Sequence, residues 1–292
     1  MNDMPSAPLI AAEEVRSNFI KSFVLVGIII ALVIAASYLI GYMLNDIKSG
    51  LFIGAVVSVI VIPLQIMTAK WMILAMTSGR AANPNDLRER RAIHIVEGLA
   101  VSAGLQRTPD LYIIPSRIPN AFASGMDEKS AFIGVTQGLL DMMDDQELEG
   151  VIAHEVGHII HRDIMLNQLV VGLISVLLIL ALIIERIGII GAYSGGNRRG
   201  RDRDNGNAGG AAALLLLLAI LIRPLVMLIG TLLQLGISRK REYAADAVAV
   251  RLCSYNEGLA RALEKLGGEE YSSDDIKELG GENMACMYIN FP

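Results

Sequence analysis

The stretch Asp144–Asp163, DDQELEGVIAHEVGHIIHRD, decides the fold because it contains the pattern H-E-x-x-H at His154, Glu155 and His158. Two histidines four residues apart lie on one face of a helix, so both imidazoles can reach the same metal ion. The glutamate between them faces the group that the metal binds. The pattern is typical of zinc hydrolases, and it predicts a metal site on a helix.

The residues around this motif predict the helix itself. Asp144 is a good N-cap, and Glu147 three residues later completes a capping box. Glycine inside a helix costs up to about 1 kcal/mol relative to alanine, so we expect Gly157 to allow close backbone packing near the metal. His161 lies on the same face as His154 but about 10 Å further along the helix axis. We interpret His161 as a surface histidine or one beside the site, not as a ligand.

The composition of the chain indicates a membrane protein with a globular part. Of the 292 residues, 53% are hydrophobic and only 5% are aromatic, and the mean hydropathy is +0.49. A net charge of −5 argues against a nucleic-acid partner. Cys253 and Cys286 are far from each other and from the histidines, which predicts reduced thiols and no cysteine metal site.

Two hydrophobic runs near the N-terminus predict a membrane hairpin. The first covers residues 19–44, long enough for the roughly 20 residues that cross a bilayer. The second covers residues 51–69 and is followed by Lys70 and Trp71, a pair typical of the membrane interface. We therefore predict that residues 1–71 form two spans.

Two further hydrophobic runs follow the motif. The third, Ile164–Ile184, begins directly after it, and the fourth covers Ala211–Ile237. The segment between them, residues 194–210, is rich in glycine and arginine and cannot build a core, which predicts a flexible loop. Residues 164–237 are thus expected to be two membrane-associated segments joined by this loop.

This layout predicts that the globular domain with the motif has two parts, residues 72–163 and residues 238–292. Two passes or none return the chain to the side of the membrane that it left, so both parts lie on one side. Basic residues near the runs favour the cytosol for that side. They are Arg16, Lys21, Lys70, Arg80, Arg239, Lys240 and Arg241. Four arginines in the loop at 198–203 oppose this assignment, unless the third and fourth runs re-enter the membrane without crossing it.

A catalytic zinc ion takes three protein ligands, so a third donor is needed. Glu185 is excluded, because 27 residues of continuous helix would carry it about 40 Å from His158. After the fourth run, Glu242 and Asp246 lie four residues apart on a predicted helix that returns beside His154. These two acids fit best. The alternative for them is a solvated helix start at the membrane edge.

Several segments resemble the HtpX family of membrane-bound zinc metallopeptidases, which is related to the CAAX prenyl endopeptidases. They are IAHEVGHIIHRD, the two hydrophobic runs after it, SRKREYAAD, NAFASG at Asn120–Gly125, and AFIGVTQGLLDMMDDQELEGVIAHE. The resemblance covers most of the chain. Family members continue beyond the position of Asn290 into a Thr-His-Pro segment, so we expect the second part of the protease domain to be truncated.

The resemblance implies a role for each site residue. His154, His158 and Glu242 bind one zinc ion, Glu155 is the catalytic base, and Asp246 orients a ligand histidine. It also implies a multi-pass protein of the bacterial inner membrane with a cytosolic active site. Its substrates would be misfolded or membrane polypeptides, in protein quality control and stress response. A CAAX prenyl-type endopeptidase and an inactive membrane scaffold are the alternatives, and the oligomeric state is left open.

The expected fold is an α+β zincin-like metallopeptidase domain, mostly helical with a small sheet, fused to about four transmembrane or membrane-associated helices. A helix is predicted over residues 87–105 and short strands over 111–114, 121–123 and 131–135. An edge strand near the metal can bind an extended peptide by adding it to the sheet. By the resemblance, the substrate-binding residues are Asn120, Ala121, Phe122 and Ala123.

Overall fold

The structure is a computed structural model of the chain. It describes residues 7–43, 46–166, 168–169, 181–182, 185–186, 189, 224, 239–255 and 257–268. Most of the third and fourth hydrophobic runs, the predicted loop between them and residues 269–292 lie outside this description. The chain divides into two compact units: one comprises Met1–Phe23, Thr68–Gln168 and Ile237–Pro292, the other Val24–Met67 and Leu169–Gly236.

The N-terminal helices follow the first two hydrophobic runs. They are α1 (Ala7–Met43), α2 (Ile47–Val56), a π-helical turn (Val57–Val61) and α3 (Ile62–Met76). Within the described residues, one helical segment, Ser22–Tyr42, is long and apolar enough to cross a bilayer. The second run forms shorter apolar helices and continues past its predicted end at Lys70. The four-span arrangement therefore stays a prediction.

Helices α1 and α2 approach each other closely through glycines. A Cβ on Gly50 would lie 2.5 Å from the carbonyl oxygen of Ser37, and one on Gly54 would lie 2.7 Å from the Ser37 Cβ. Large apolar side chains such as Phe52 and Ile53 are instead exposed on this pair. Small residues at a helix crossing and apolar residues facing outward are typical of membrane helices.

The first of these units, which includes Thr68–Gln168, contains a four-stranded sheet. Its strands are β1 (Arg80–Ala81), β2 (Asp110–Ile114), β3 (Ala121–Ser124) and β4 (Phe132–Thr136), in the order β1-β2-β4-β3. Strands β2 and β4 are parallel, and the other two pairs are antiparallel. The three strands predicted from the sequence are confirmed within one residue, whereas β1 was not predicted. Strand β3 forms one edge of the sheet.

Five helices with bounds in the described residues lie entirely within this unit. They are α4 (Leu87–Ser102), α5 (Gln137–Met142), α6 (Asp145–Ile160), α7 (Arg239–Leu252) and α8 (Gly258–Gly267). Helix α6 contacts β3, α4, α7 and α8, so it is the central element of the unit. Its apolar face is completely buried at Leu148, Val151, Ile152, Val156 and Ile159. The unit is thus mostly helical with a small sheet, as predicted.

Candidate metal centre

The ends of α6 fix which residues face the interior. At its start, Asp144 Oδ1 accepts the Glu147 N–H and Glu147 Oε2 accepts the Asp144 N–H, each at 2.9 Å, so the predicted capping box is confirmed. At its end, His161 is the C-cap and Arg162 has a φ of +57°. This left-handed residue interrupts the helix, and the chain is helical again from residue 163. His161 is buried at 5% exposure, so its interpretation as a surface histidine is wrong, and that as a residue beside the site remains.

Helix α7 crosses α6 at Gly157. A Cβ on Gly157 would lie 2.9 Å from the Cα of Ala245, closer than a Cβ comes to another carbon atom in a folded protein. The prediction of close backbone packing at this glycine is therefore confirmed. The crossing brings Glu242 and Asp246, which lie one turn apart on α7, against the histidines of α6.

Three donor atoms converge where the two helices cross. His154 Nε2 lies 3.2 Å from His158 Nε2, and Glu242 Oε2 lies 3.5 Å from the first and 3.7 Å from the second. In the described part of the chain, these residues form the one group of His, Cys, Asp or Glu side chains whose donor atoms could share a metal ion. The sequence prediction thus named the residues that the fold brings together.

The other nitrogen of each imidazole contacts a carboxylate. His154 Nδ1 lies 2.8 Å from Asp246 Oδ1, and His158 Nδ1 lies 3.2 Å from Asp163 Oδ2. Because an ionised carboxylate only accepts hydrogen bonds, each Nδ1 carries the proton and donates it. Both Nε2 lone pairs then face each other and a carboxylate oxygen. A cation between these acceptors, either a metal ion or a proton on His154, would balance them.

The spacing of the donors fits zinc. With metal–ligand distances of about 2.1 Å, neighbouring ligands of a tetrahedral ion lie about 3.4 Å apart. The three observed separations, 3.2, 3.5 and 3.7 Å, bracket that value. Two imidazoles and one carboxylate also bind zinc in preference to harder cations.

The electrostatics of the centre favour a bound cation. Burial lowers the pKa of His154, but the hydrogen bond with Glu242 and the charges of Glu155 and Asp246 outweigh it and raise that pKa to about 9. The hydrogen bond with His154 also lowers the pKa of Glu242, against the effect of its own burial. A pocket that attracts a proton this strongly also attracts a metal ion, which competes with the proton for the same lone pair.

Glu155 is almost completely buried beside these donors. Burial raises its pKa, and the charges of His158 and His154 and a hydrogen bond from the Ala123 N–H offset this only in part. Among the contacts described, no lysine or arginine pairs with this buried carboxylate, and its burial is therefore costly, which is a reason to expect a chemical role for it.

The predicted substrate-binding residues lie on and just before β3. The backbone oxygen of Asn120 accepts the Thr136 N–H at 2.9 Å, so Asn120 is bonded towards β4. Backbone groups alternate along an antiparallel strand, so those of Ala121 and Ala123 point away from β4, to the open side of β3. The Ala123 N–H reaches Glu155 on that side. The Phe122 side chain instead packs edge-on against Phe132 in the core.

One polar residue of the centre was missed by the sequence analysis. Asp163 is 1% exposed and contacts His158. Its only signal in the sequence is its place at the end of the motif stretch, and a continuous helix would have turned it away from His158.

Comparisons with known proteins identify the family of this chain. Residues 86–279 match the family described as peptidase family M48. The chain belongs to peptidase family M48. It is 33% identical to a "Protease HtpX homolog" of Listeria monocytogenes, over 90% of this chain and 86% of the relative. It is 32% identical to a relative of the same name from Streptococcus uberis, over 96% of this chain and 90% of the relative. The match to a crystal structure of S. mikatae Ste24p covers 94% of this chain and 66% of the Ste24p chain, with 18% identity and a TM-score of 0.45.

These findings confirm the predicted enzyme class and cofactor. The chain is a zinc-dependent metalloprotease, and the resemblance to the HtpX proteins is confirmed. The span-length helix Ser22–Tyr42 agrees with attachment to a membrane.

Proposed function

We propose that this chain is a membrane-bound zinc endopeptidase that hydrolyses peptide bonds of misfolded or membrane proteins at the cytosolic face of the bacterial inner membrane. The observation that carries the proposal is the convergence of His154 Nε2, His158 Nε2 and Glu242 Oε2 beside the buried carboxylate of Glu155. Three donors and an adjacent base are the components that metal-assisted hydrolysis needs.

His154, His158 and Glu242 would hold the zinc ion in this proposal, and Asp246 orients His154 by accepting its Nδ1–H. Zinc at such a site supplies a Lewis acid that acidifies water and polarises a carbonyl group. Glu155 takes a proton from the attacking water and donates it to the leaving amine as the C–N bond breaks. Burial raises the pKa of Glu155, so it is a stronger base than an exposed glutamate.

The open side of β3 is the proposed substrate-binding edge. The outward backbone groups of Ala121 and the C=O of Ala123 can pair with an extended polypeptide, while the Ala123 N–H contacts Glu155. Such pairing recognises main chain rather than particular side chains. This suits an enzyme for unfolded substrates. A peptide that is N-methylated at the residue pairing with Ala121 should not be cleaved. A peptide methylated two residues beyond the end of β3, where no pairing is expected, should still be cleaved. Equal cleavage of both peptides would remove β3 from substrate binding.

The central experiment measures casein cleavage and bound zinc for full-length protein purified in detergent. Wild type should bind about one zinc ion per chain and cleave casein. Glu155→Gln should keep zinc and lose cleavage, whereas His158→Ala should lose both. Equal zinc loss in the two variants would remove Glu155 from the base role.

Other outcomes separate the alternatives. Cleavage of a prenylated peptide but not of casein would favour the prenyl-type endopeptidase. Zinc binding without any cleavage would favour the scaffold.

The cytosolic position of the site rests on the basic residues near the hydrophobic runs and has its own test. Lys129 is exposed in the turn between β3 and β4. With both native cysteines replaced by serine, a cysteine at position 129 should react with a membrane-impermeant maleimide in inverted membrane vesicles and not in right-side-out vesicles. The opposite pattern would place the protease domain outside the cytosol.

A further inference from the structure

Asp163 is the most deeply buried carboxylate at the metal centre. Its side chain is 1% exposed, against 41% for Asp246 and 46% for Glu242. Asp163 Oδ2 lies 3.2 Å from His158 Nδ1, and Asp163 Oδ1 lies 4.0 Å from Arg241 Nη1. Burial of a charge is costly unless it is paired, and here both oxygens face polar partners.

The backbone before Asp163 is strained in the way that this contact requires. Five residues of continuous helix would rotate position 163 by about 140° from His158, onto another face. Helix α6 instead ends at Ile160, and Arg162 has a φ of +57°. A left-handed non-glycine residue costs on the order of 1 kcal/mol or more and is typical of functional sites. The left-handed backbone of Arg162 breaks the helical register and leaves the Asp163 carboxylate beside His158.

The two oxygens of Asp163 connect both elements that supply metal donors. One fixes the imidazole of His158 on α6, and the other attracts Arg241, which directly precedes Glu242 on α7. A carboxylate that accepts the Nδ1–H of a histidine sets the tautomer and direction of its Nε2 lone pair. The contact with Arg241 holds the neighbouring Glu242 close to the His158 Nε2 atom.

We propose that Asp163 is a positioning residue of the metal centre: it orients His158 directly and Glu242 through Arg241, and so tightens zinc binding. This role rests on the proposed function, since it presumes that His158 and Glu242 bind zinc. Asp246 is the matched residue for His154, but it is partly exposed and lacks the arginine contact among the contacts described. Loss of the Asp163 carboxylate should therefore weaken zinc binding more than loss of the Asp246 carboxylate does.

The test measures the dissociation constant for zinc by competition with a chromogenic chelator, using full-length protein in detergent. Asp163→Asn should weaken zinc binding about 10- to 100-fold, and Asp246→Asn should fall at the lower end of that range. Arg241→Gln should weaken binding less than Asp163→Asn does. Asp145→Asn is the control, because it removes an exposed carboxylate that pairs with Arg91 and should leave zinc binding unchanged.

A second pair of variants keeps Asp163 and moves it, which covers the case in which Asp163→Asn does not fold. Arg162→Gly tolerates the positive φ and should bind zinc as wild type does, whereas Arg162→Val disfavours it and should weaken binding about tenfold. Equal affinity in both Arg162 variants, or unchanged affinity in folded Asp163→Asn, would overturn the positioning role while the proposed function stands. A wild-type protein that binds no zinc would overturn both.

Discussion

Two glutamates lie buried on the same helix, eight residues apart, in opposite surroundings. Glu147, 2% exposed at the start of α6, accepts hydrogen bonds from the Asp144 N–H and from Lys265 Nζ at 2.6 Å. Glu155, 3% exposed further along, faces two histidines and accepts the Ala123 N–H. The same residue type is thus an anchor at one end of α6 and a candidate base in the second half.

The partners explain this difference. The cation beside Glu147 comes from α8, whose start packs so closely on α6 that a Cβ on Gly150 would lie 2.4 Å from the Leu259 nitrogen. Glu155 has no such lysine or arginine partner among the contacts described, and burial raises its pKa. The N-terminal end of α6 thus contributes to stability, and the rest of the helix carries the metal donors and the candidate base.

The largest expected effect separates the two glutamates by activity. Glu155→Gln should lower casein cleavage per zinc-loaded molecule by about 10²- to 10⁴-fold, because it removes general-base catalysis. Glu147→Gln should leave cleavage per folded, zinc-loaded molecule unchanged and lower only the yield of such molecules. Cleavage normalised to bound zinc measures both. An equal loss of normalised activity in the two variants would contradict the division.

Local sequence patterns predicted the features within α6. The contacts that α6 makes with distant parts of the chain could not be predicted. The motif spacing and the pair Asp144 and Glu147 depend on residues one turn apart, so the sequence predicted the helix, its cap and two of the converging donors. Glu242 and Asp246 were found because the hydrophobic runs return their segment beside His154, and the resemblance to the HtpX family assigned Glu242 as the ligand. In contrast, the lysine partner of Glu147 lies 118 residues away on α8, and nothing local encodes that docking.

Two further features escaped prediction for similar reasons. Strand β1 is only two residues long, Arg80–Ala81, and exists because it pairs with β2 about thirty residues later. Asp163 reaches His158 only through the left-handed backbone of Arg162, and arginine carries no signal for that conformation. Short pairings and strained turns depend on the finished fold.

The second expected effect tests the anchoring role of Glu147 by stability. Glu147→Ala should lower the free energy of unfolding by about 2–3 kcal/mol, because the Asp144 N–H and Lys265 lose their acceptor. The value is below that of a fully buried ion pair, since the Lys265 side chain is 45% exposed. Denaturant unfolding in detergent measures it. Asp145→Ala, at an exposed neighbour, should change stability by less than about 0.5 kcal/mol, and a similar loss there would contradict the assignment.

The third effect tests whether the chemical part of α6 depends on the helix crossing. Gly157→Ala should cost about 1–2 kcal/mol, because the added Cβ would press on the backbone of α7. It should also weaken zinc binding, since α7 carries Glu242. Gly98→Ala is the matched control: a Cβ on Gly98 in α4 meets nothing within 4 Å, so stability should rise by up to about 1 kcal/mol. Unchanged zinc affinity in Gly157→Ala would contradict the dependence.

The smallest effect extends the comparison to a third buried glutamate. Glu89 accepts hydrogen bonds from Arg80 Nη1 and Nη2 at 2.9 and 2.5 Å and from the Asn83 N–H at 2.7 Å. The hydrogen bond with Arg80 lowers the pKa of Glu89 despite burial, the reverse of the shift at Glu155. The contribution of ionised Glu89 to the free energy of unfolding is therefore complete above the unfolded pKa of about 4.3. It is lost as the pH falls through the lowered folded value.

Glu89→Gln measures the size of this contribution. The variant should be less stable than wild type by about 1 kcal/mol at pH 7, because the Arg80 side chain is 54% exposed and solvent screens the pair. The difference should shrink as the pH is lowered below the unfolded pKa, where wild type loses the charge on Glu89 as well. Unfolding free energies of both proteins across that range test this. A difference that stays constant with pH would show that Glu89 stabilises the fold by packing, and the lowered pKa would then not distinguish it from Glu155.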